Sequence, residues 1–282
     1  MLQSAALGLV QGLTEFIPIS SSAHLVIVPW LFGWTDPALG SITFDVALHL
    51  GTLAAVIAYF FQDWVKLVGA WFRSVGRLRI DDSPDTRMAW YILLACIPGA
   101  VVGILFEGTV NASFHVQPIP RLSMVLMACA IAVMGALLLL ADSRGKQRRP
   151  YTSIGAVDAA VIGLAQALAL FPGVSRSGAT ITAGLAIGLE RPAAARFSFL
   201  LSAPIIAGAG FKSIYDLATG TGSGAISHAE LLIFPVGFAV AGVSGFLCIK
   251  LLLTFLQTHS TRTFVFYRWA LAALVLVVAL TR

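Results

Sequence analysis

Apolar residues fall along this chain in long blocks with few charges inside them. Six blocks, at about 42–62, 88–107, 120–141, 193–217, 230–256 and 263–281, each hold about 20 or more mostly apolar residues. That is the length a helix needs to cross a hydrocarbon layer about 30 Å thick. They predict six transmembrane helices rather than barrel strands, which would alternate in segments of about ten residues. Two further apolar segments, 2–33 and 155–189, are interrupted by FIPISSSAH and FPGVSRSGAT. Each half is too short to cross, so the pattern predicts a helix, a break and a second helix that returns to its starting side. The expected fold is an all-α integral membrane protein with six transmembrane helices and two re-entrant helical hairpins.

Loop charges give this arrangement a direction. The loop 63–87 holds Lys66, Arg73, Arg77, Arg79 and Arg87, and the loop 142–153 holds Arg144, Lys146, Arg148 and Arg149, whereas 108–119 and 218–229 hold no Lys or Arg. Positive loops stay inside, so the two basic loops are expected to be cytoplasmic and both termini to lie outside.

At a fixed offset of 155, the two broken segments resemble each other. Gly8/Gly163, Leu9/Leu164, Gln11/Gln166, Leu13/Leu168, Phe16/Phe171, Ser20/Ser175 and Ser22/Ser177 are identical. This predicts a single membrane domain, 1–282, containing internal repeats at about 1–141 and 155–282. Each repeat has one broken segment and three crossings, and an odd number of crossings inverts the second copy. The two breaks then approach from opposite leaflets and meet near mid-depth.

Composition agrees with a lipid environment: 58% of the 282 residues are hydrophobic and 11% charged, against about 25% charged in soluble domains. The net charge of +5 sits in the two basic loops, which points to topology and not to nucleic acid. Cys96, Cys129 and Cys248 lie inside apolar blocks without metal or disulfide spacing and read as buried packing residues. The N-terminus lacks a basic leader and a cleavage site, and it carries Gln11 and Glu15 in its apolar run, unlike a signal peptide.

Irregular backbone at membrane depth is tolerated only in protein or beside a wet cavity, so each break is a candidate site. Gln11 and Glu15 share a helix face before Pro18, Ser20, Ser21, Ser22 and His24; Pro172 and Gly173 precede Ser175, Arg176, Ser177, Gly178 and Thr180. Helix N-termini at Ser20–Ser22 and Ser175–Ser177 would offer free N–H groups to an anion, and Arg176 a fork for phosphate oxygens. Glu15 beside that positive cluster suits a divalent cation bridging to phosphate. Ser21 is the candidate nucleophile and His24 the proton carrier, with a metal-activated water as the alternative attacking group. Ser20 and Ser22 serve equally as plain N-caps, and Glu15 with Arg176 as a structural ion pair. Asp45 and His49 form one pair without a third ligand, Arg191 and Arg196 read as positive-inside anchors, and Tyr267, Arg268 and Trp269 as an interfacial belt.

The segments GLVQGLTEFIPISSSAHL (8–25) and FPGVSRSGATIT (171–182), with FDVALHLGTLAAV, IPGAVVG, ARFSFLLSAP and FYRWAL between and after them, resemble the bacterial undecaprenyl-diphosphate phosphatases, also called the bacitracin-resistance family. The resemblance covers nearly the whole chain in order. It implies hydrolysis of undecaprenyl diphosphate to undecaprenyl phosphate and phosphate at the outer face of the bacterial cytoplasmic membrane, recycling the lipid carrier of cell-wall synthesis. It places the acidic motif on Gln11 and Glu15, the Ser and His positions on Ser20, Ser21, Ser22 and His24, and the second motif on Ser175, Arg176, Ser177 and Thr180. It also implies a divalent cation, Mg²⁺ or Ca²⁺. Where the family has Glu or Gln this chain has Gln11, so metal binding should lean on Glu15, and Ala23 replaces the usual Gly before His24. The expected partners are an isoprenyl diphosphate lipid and membrane lipids, and no nucleic acid; the oligomeric state stays open, a homodimer included. The competing function is a lipid or small-anion transporter or flippase, because broken helices in an inverted repeat are transporter architecture.

Overall fold

A computed structural model describes residues 1–80, 83–114, 119–219 and 228–281. Its helices are α1 (Leu2–Phe16), α2 (Ser21–Phe32), α3 (Ile42–Tyr59), α4 (Phe61–Gly76), α5 (Pro84–Phe114), α6 (Arg121–Arg144), α7 (Ala156–Ala167), α8 (Arg176–Ala186), α9 (Arg191–Ala218), α10 (His228–Thr258) and α11 (Arg262–Thr281). Among the described residues there is no β-strand, only an isolated bridge between Arg149 and Leu189. Six helices, α3, α5, α6, α9, α10 and α11, are long and apolar enough to cross a membrane, and they coincide with the six blocks read from the sequence. Their outward side chains, such as Ile104, Leu105, Val243 and Leu251, are exposed, which only a lipid solvent accommodates at this density.

One expectation needs correction: the basic segment 63–87 is not all loop. Residues Phe61–Gly76 form α4. Its exposed Phe61, Val65, Val68, Phe72 and Val75 recur every three or four positions, while Leu67, Ala70 and Ser74 are buried on the opposite side. This is helical periodicity. The segments read as free of Lys and Arg, 108–119 and 218–229, fall partly outside the described residues; 108–114 continues α5.

Helices pack through small residues. Lipid gives no hydrophobic drive between membrane helices, so close backbone contact supplies the attraction. On α1, a Cβ added to Gly8 would lie 2.6 Å from the Gly237 carbonyl oxygen, and one added to Gly12 would lie 2.7 Å from that of Ala241, both on α10. Gly51 of α3 meets the same helix, where a Cβ would fall on the Phe238 carbonyl. α1 and α3 are thereby seated side by side on α10. In the second half, Gly163 brings α7 equally close to α5, at 2.6 Å from the Ala95 carbonyl oxygen. Below the first break, Phe16 and Phe199 meet edge to face at 5.3 Å in the main apolar core.

Arg191 and Arg196 are ion-paired: Arg191 with Asp142 at 2.6 Å, and Arg196 with Asp63 at 2.8 Å. Arg149 donates to both carboxylate oxygens of Asp158 and holds that carboxyl below its ordinary value. Cys248 is buried and Cys96 half-buried, as expected of packing residues, but Cys129 is exposed on the outer face of α6.

Candidate active site

Each broken segment stops its first helix the same way. At Ile17 and at Phe171 the backbone turns extended, because the following Pro18 and Pro172 disfavour helical conformation in the residue before them. The second helices then start on serines in the left-handed region, Ser20 at φ 78° and Ser175 at φ 74°. This backbone is costly for a residue with a Cβ. Each serine offsets part of that cost as an N-cap, Ser20 Oγ accepting from the Ala23 N–H at 3.4 Å and Ser175 Oγ from the Gly178 N–H at 3.0 Å.

The two breaks touch. The Gly173 N–H donates to Ser20 Oγ at 3.2 Å, and Ser177 Oγ donates to the Ile17 carbonyl at 3.1 Å. Across this seam the Arg176 guanidinium donates to Glu15 Oε1 at 2.6 Å, with the Glu15 side chain 5% exposed and that of Arg176 13% exposed. Glu15 Oε2 accepts from Gln11 Nε2 at 3.0 Å and from the Ser21 hydroxyl. His49 Nε2 stands 3.7 Å from the same oxygen.

No hydrogen bond joins Ser21 to His24. His24 Nδ1 faces the Ser20 carbonyl at 2.6 Å, and a carbonyl only accepts, so Nδ1 carries the proton. Nε2 is left to accept from the Tyr267 hydroxyl at 2.7 Å, with the two rings stacked. Thr180 Oγ1 donates to the Arg176 carbonyl at 2.8 Å and accepts from Ser198 Oγ at 2.7 Å. Ser20, Ser175, Ser177 and Thr180 are buried. Ser21 and Ser22 are half-buried, and Ser22 Oγ lies 3.3 Å from Ser20 Oγ.

Of the three residues read as an interfacial belt, Tyr267 and Trp269 are exposed, but Arg268 is not part of a belt. Arg268 is fully buried. Its guanidinium donates to the Pro18 carbonyl of the first break at 2.6 Å and to the Val174 carbonyl of the second at 2.9 Å. Longer contacts of 3.4 Å reach the Gly173 and Ile131 carbonyls. Gly178 has to be glycine beside it, since a Cβ there would lie 2.8 Å from Arg268 Nη2. An arginine inside an apolar block was the available signal, because intramembrane charge is costly and functional by default. The approach of His49 and Ser198 carried no such signal, since it depends on how α3 and α9 pack.

Among the described residues no three His, Cys, Asp or Glu side chains gather as a metal site. Oxygen donors are nonetheless present: Gln11 is fully buried, and its Oε1 has no hydrogen-bond partner beside the Glu15 carboxylate. An unpaired buried acceptor next to a carboxylate suits a hard cation. Gln166, at the matching position of the second segment, donates from Nε2 to the Ala95 carbonyl and likewise leaves its Oε1 unpaired, but it has Leu170 where Gln11 has Glu15, so no carboxylate stands beside it.

Residues 4–274 match the family model described as bacitracin resistance protein BacA. The chain is 46% identical to an undecaprenyl-diphosphatase of Thermomicrobium roseum, over 98% of this chain and 97% of that protein. It is 47% identical to one of Moorella thermoacetica, over 99% and 97%, and 45% identical to one of Rubrobacter xylanophilus, over 98% and 97%. A match of this extent, running through both broken segments and all six long apolar helices, places the chain in the bacitracin-resistance BacA family of multi-pass membrane proteins.

Proposed function

We propose that this protein is an undecaprenyl-diphosphate phosphatase of the bacterial inner membrane, releasing phosphate and undecaprenyl phosphate and so recycling the lipid carrier of cell-wall synthesis. The observation that carries the reading is the Arg176–Glu15 contact of 2.6 Å across the two breaks, with the Ser21 hydroxyl on the same carboxylate. Phosphate binder, carboxylate base and hydroxyl nucleophile are thus within one hydrogen-bonded cluster. A transporter needs no nucleophile held on a base.

In this reading Arg176 and the N-termini of α2 and α8 grip the diphosphate. Ser22, Ser177, Gly178 and Thr180 shape that seat, while Ser20 and Ser175 fix its backbone as caps. On the covalent route Ser21 Oγ attacks the terminal phosphorus and its proton passes to Glu15. The bond from phosphorus to the bridging oxygen breaks, and undecaprenyl phosphate leaves. Water then cleaves the phosphoserine, with His24 taking the water proton. On the alternative route water attacks directly in the same seat and Ser21 only orients it. Glu15 and Gln11 would hold a divalent cation, Mg²⁺ or Ca²⁺, which when bound neutralises charge on the phosphate oxygens.

The same reading includes an inverted repeat, about 1–141 and 155–282 within one domain, whose broken segments are re-entrant hairpins. Three observations support it. The two segments share seven identities at an offset of 155. Their caps share one unusual backbone conformation. Helix partners are exchanged, since α1 of the first copy packs on α10 of the second and α7 of the second on α5 of the first. With the basic segments cytoplasmic, the site opens toward the outer face.

Phosphate release from a long-chain isoprenyl diphosphate by purified protein tests the activity. It should vanish with chelator and fall strongly in Glu15→Ala, His24→Ala and Arg176→Ala. Full turnover in all three variants would remove this site. Substrate crossing liposomes unhydrolysed, and still crossing in those variants, would favour the transporter.

A further inference from the structure

His49 lies outside the two broken segments, on α3, yet its ring reaches the centre of the cluster. Its placement is rigid: α1 and α3 sit side by side on α10 because Gly8, Gly12 and Gly51 let all three backbones approach. His49 Nδ1 is 2.7 Å from the Asp45 carbonyl, an acceptor only, so Nδ1 carries the proton. In the neutral ring Nε2 is then a bare lone pair. It stands 3.7 Å from Glu15 Oε2, beyond hydrogen-bond reach, and both atoms are acceptors. Gln11 Oε1 is a third acceptor without a partner. Glu15 already has Arg176 as a counter-charge. Once an ionised diphosphate enters, the cluster becomes net negative. The His49 side chain is 30% exposed and that of Glu15 5%, so His49 is the more accessible of the two groups.

We infer that His49 Nε2 is a ligand of the cation held by Glu15 and Gln11, so that this chain binds its metal through a mixed nitrogen and oxygen set selective for Mn²⁺ over Ca²⁺. The inference rests on the reading of Glu15 as a cation ligand. Carboxylate and amide oxygens alone favour hard ions such as Ca²⁺ and Mg²⁺. An imidazole nitrogen moves the preference toward first-row transition ions. The fixed Nδ1–H···O=C bond to Asp45 is the usual outer partner of a metal-bound histidine, setting both tautomer and ring direction.

Pulsed electron paramagnetic resonance of Mn²⁺ bound to the detergent-purified full chain tests this without reference to turnover. Wild type should show nitrogen modulation from a coordinated imidazole, changed in character when histidine is ¹⁵N-labelled. His49→Gln should lose the modulation, bind Mn²⁺ about tenfold more weakly and lose about tenfold of its Mn²⁺-over-Ca²⁺ preference. His24→Gln should keep the modulation. Mn²⁺ bound by wild type with no nitrogen modulation, or modulation that survives in His49→Gln and disappears in His24→Gln, overturns the assignment while leaving the cation at Glu15 intact. No Mn²⁺ binding, with phosphate release that persists in chelator, overturns both the assignment and the cation reading. A nitrogen-bound Mn²⁺ in a protein that releases no phosphate sustains His49 as a ligand and removes the phosphatase reading.

Discussion

Arg268→Lys keeps a positive charge at the centre of the protein and removes the fork that carries it. Arg268 joins the two breaks through two short bonds, 2.6 Å to the Pro18 carbonyl and 2.9 Å to the Val174 carbonyl. A hydrogen bond from a charged donor contributes about 1.5–3 kcal/mol net. One ammonium head cannot reproduce the planar fork, so it reaches one break well and leaves the other carbonyl without a donor. The expected loss is about 2 kcal/mol of stability, roughly 30-fold in the folding equilibrium. The effect on turnover should be larger than on folding. Glu15 lies three residues before Pro18 and Arg176 two after Val174, so a shift of one break against the other displaces the two groups that meet across the seam. A displacement of about 1 Å in positioned groups costs on the order of 100-fold in rate. Thermal unfolding in detergent, followed by tryptophan fluorescence, reads the first effect, and phosphate release from an isoprenyl diphosphate reads the second. An Arg268→Lys protein with wild-type unfolding and wild-type turnover would refute the clamp, and equal losses in both would reduce it to a packing residue.

Further outcomes follow from the same contacts. Tyr267→Phe removes the donor to His24 Nε2 while keeping the stacked ring; the fold should be unchanged and kcat should fall about tenfold, with KM little affected, if His24 moves a proton. Unchanged kcat would take Tyr267 out of the site. Ser21→Ala discriminates the two chemical routes: trapping with a labelled diphosphate should give a phosphoprotein in wild type and none in the variant, and a variant that retains full phosphate release excludes the covalent route. Gly51→Ala drives a methyl into the Phe238 carbonyl and should cost about 1–3 kcal/mol by overpacking, read as a lower unfolding temperature; an unshifted one would show that α3 and α10 are free to separate.

Much of the fold is legible in the sequence because lipid imposes a simple rule, about 20 apolar residues per crossing. The six long helices therefore lie where the apolar blocks do. Both breaks were legible for a related reason, since Pro18 and Pro172 with their serine clusters interrupt otherwise apolar runs. Helix α4 was not, because Lys66 and Arg73 mark its segment as a charged loop, while Phe61, Val65, Val68, Phe72 and Val75 declare a helix only when read at a period of 3.6. In the site, the pairing of Glu15 with Arg176 follows from two polar tips that must meet somewhere dry. The partners of His24 do not. Ser21 is three residues away in sequence, yet the N-cap at Ser20 turns the imidazole toward its own carbonyl and the Tyr267 hydroxyl. His49 and Arg268 arrive from other helices, and only the glycine seams and the fully assembled bundle bring them in.

That Arg268 lies on α11, behind both breaks in chain order, has a consequence for biosynthesis. A nascent polypeptide that has emerged as far as α10 already contains Glu15, Ser21, His24 and Arg176, yet the carbonyls of Pro18 and Val174 still await the donor that α11 delivers. Synthesis must therefore run through α11 before the two breaks can be clamped, and a product halted before that helix would carry the paired residues of both breaks without the guanidinium that joins them.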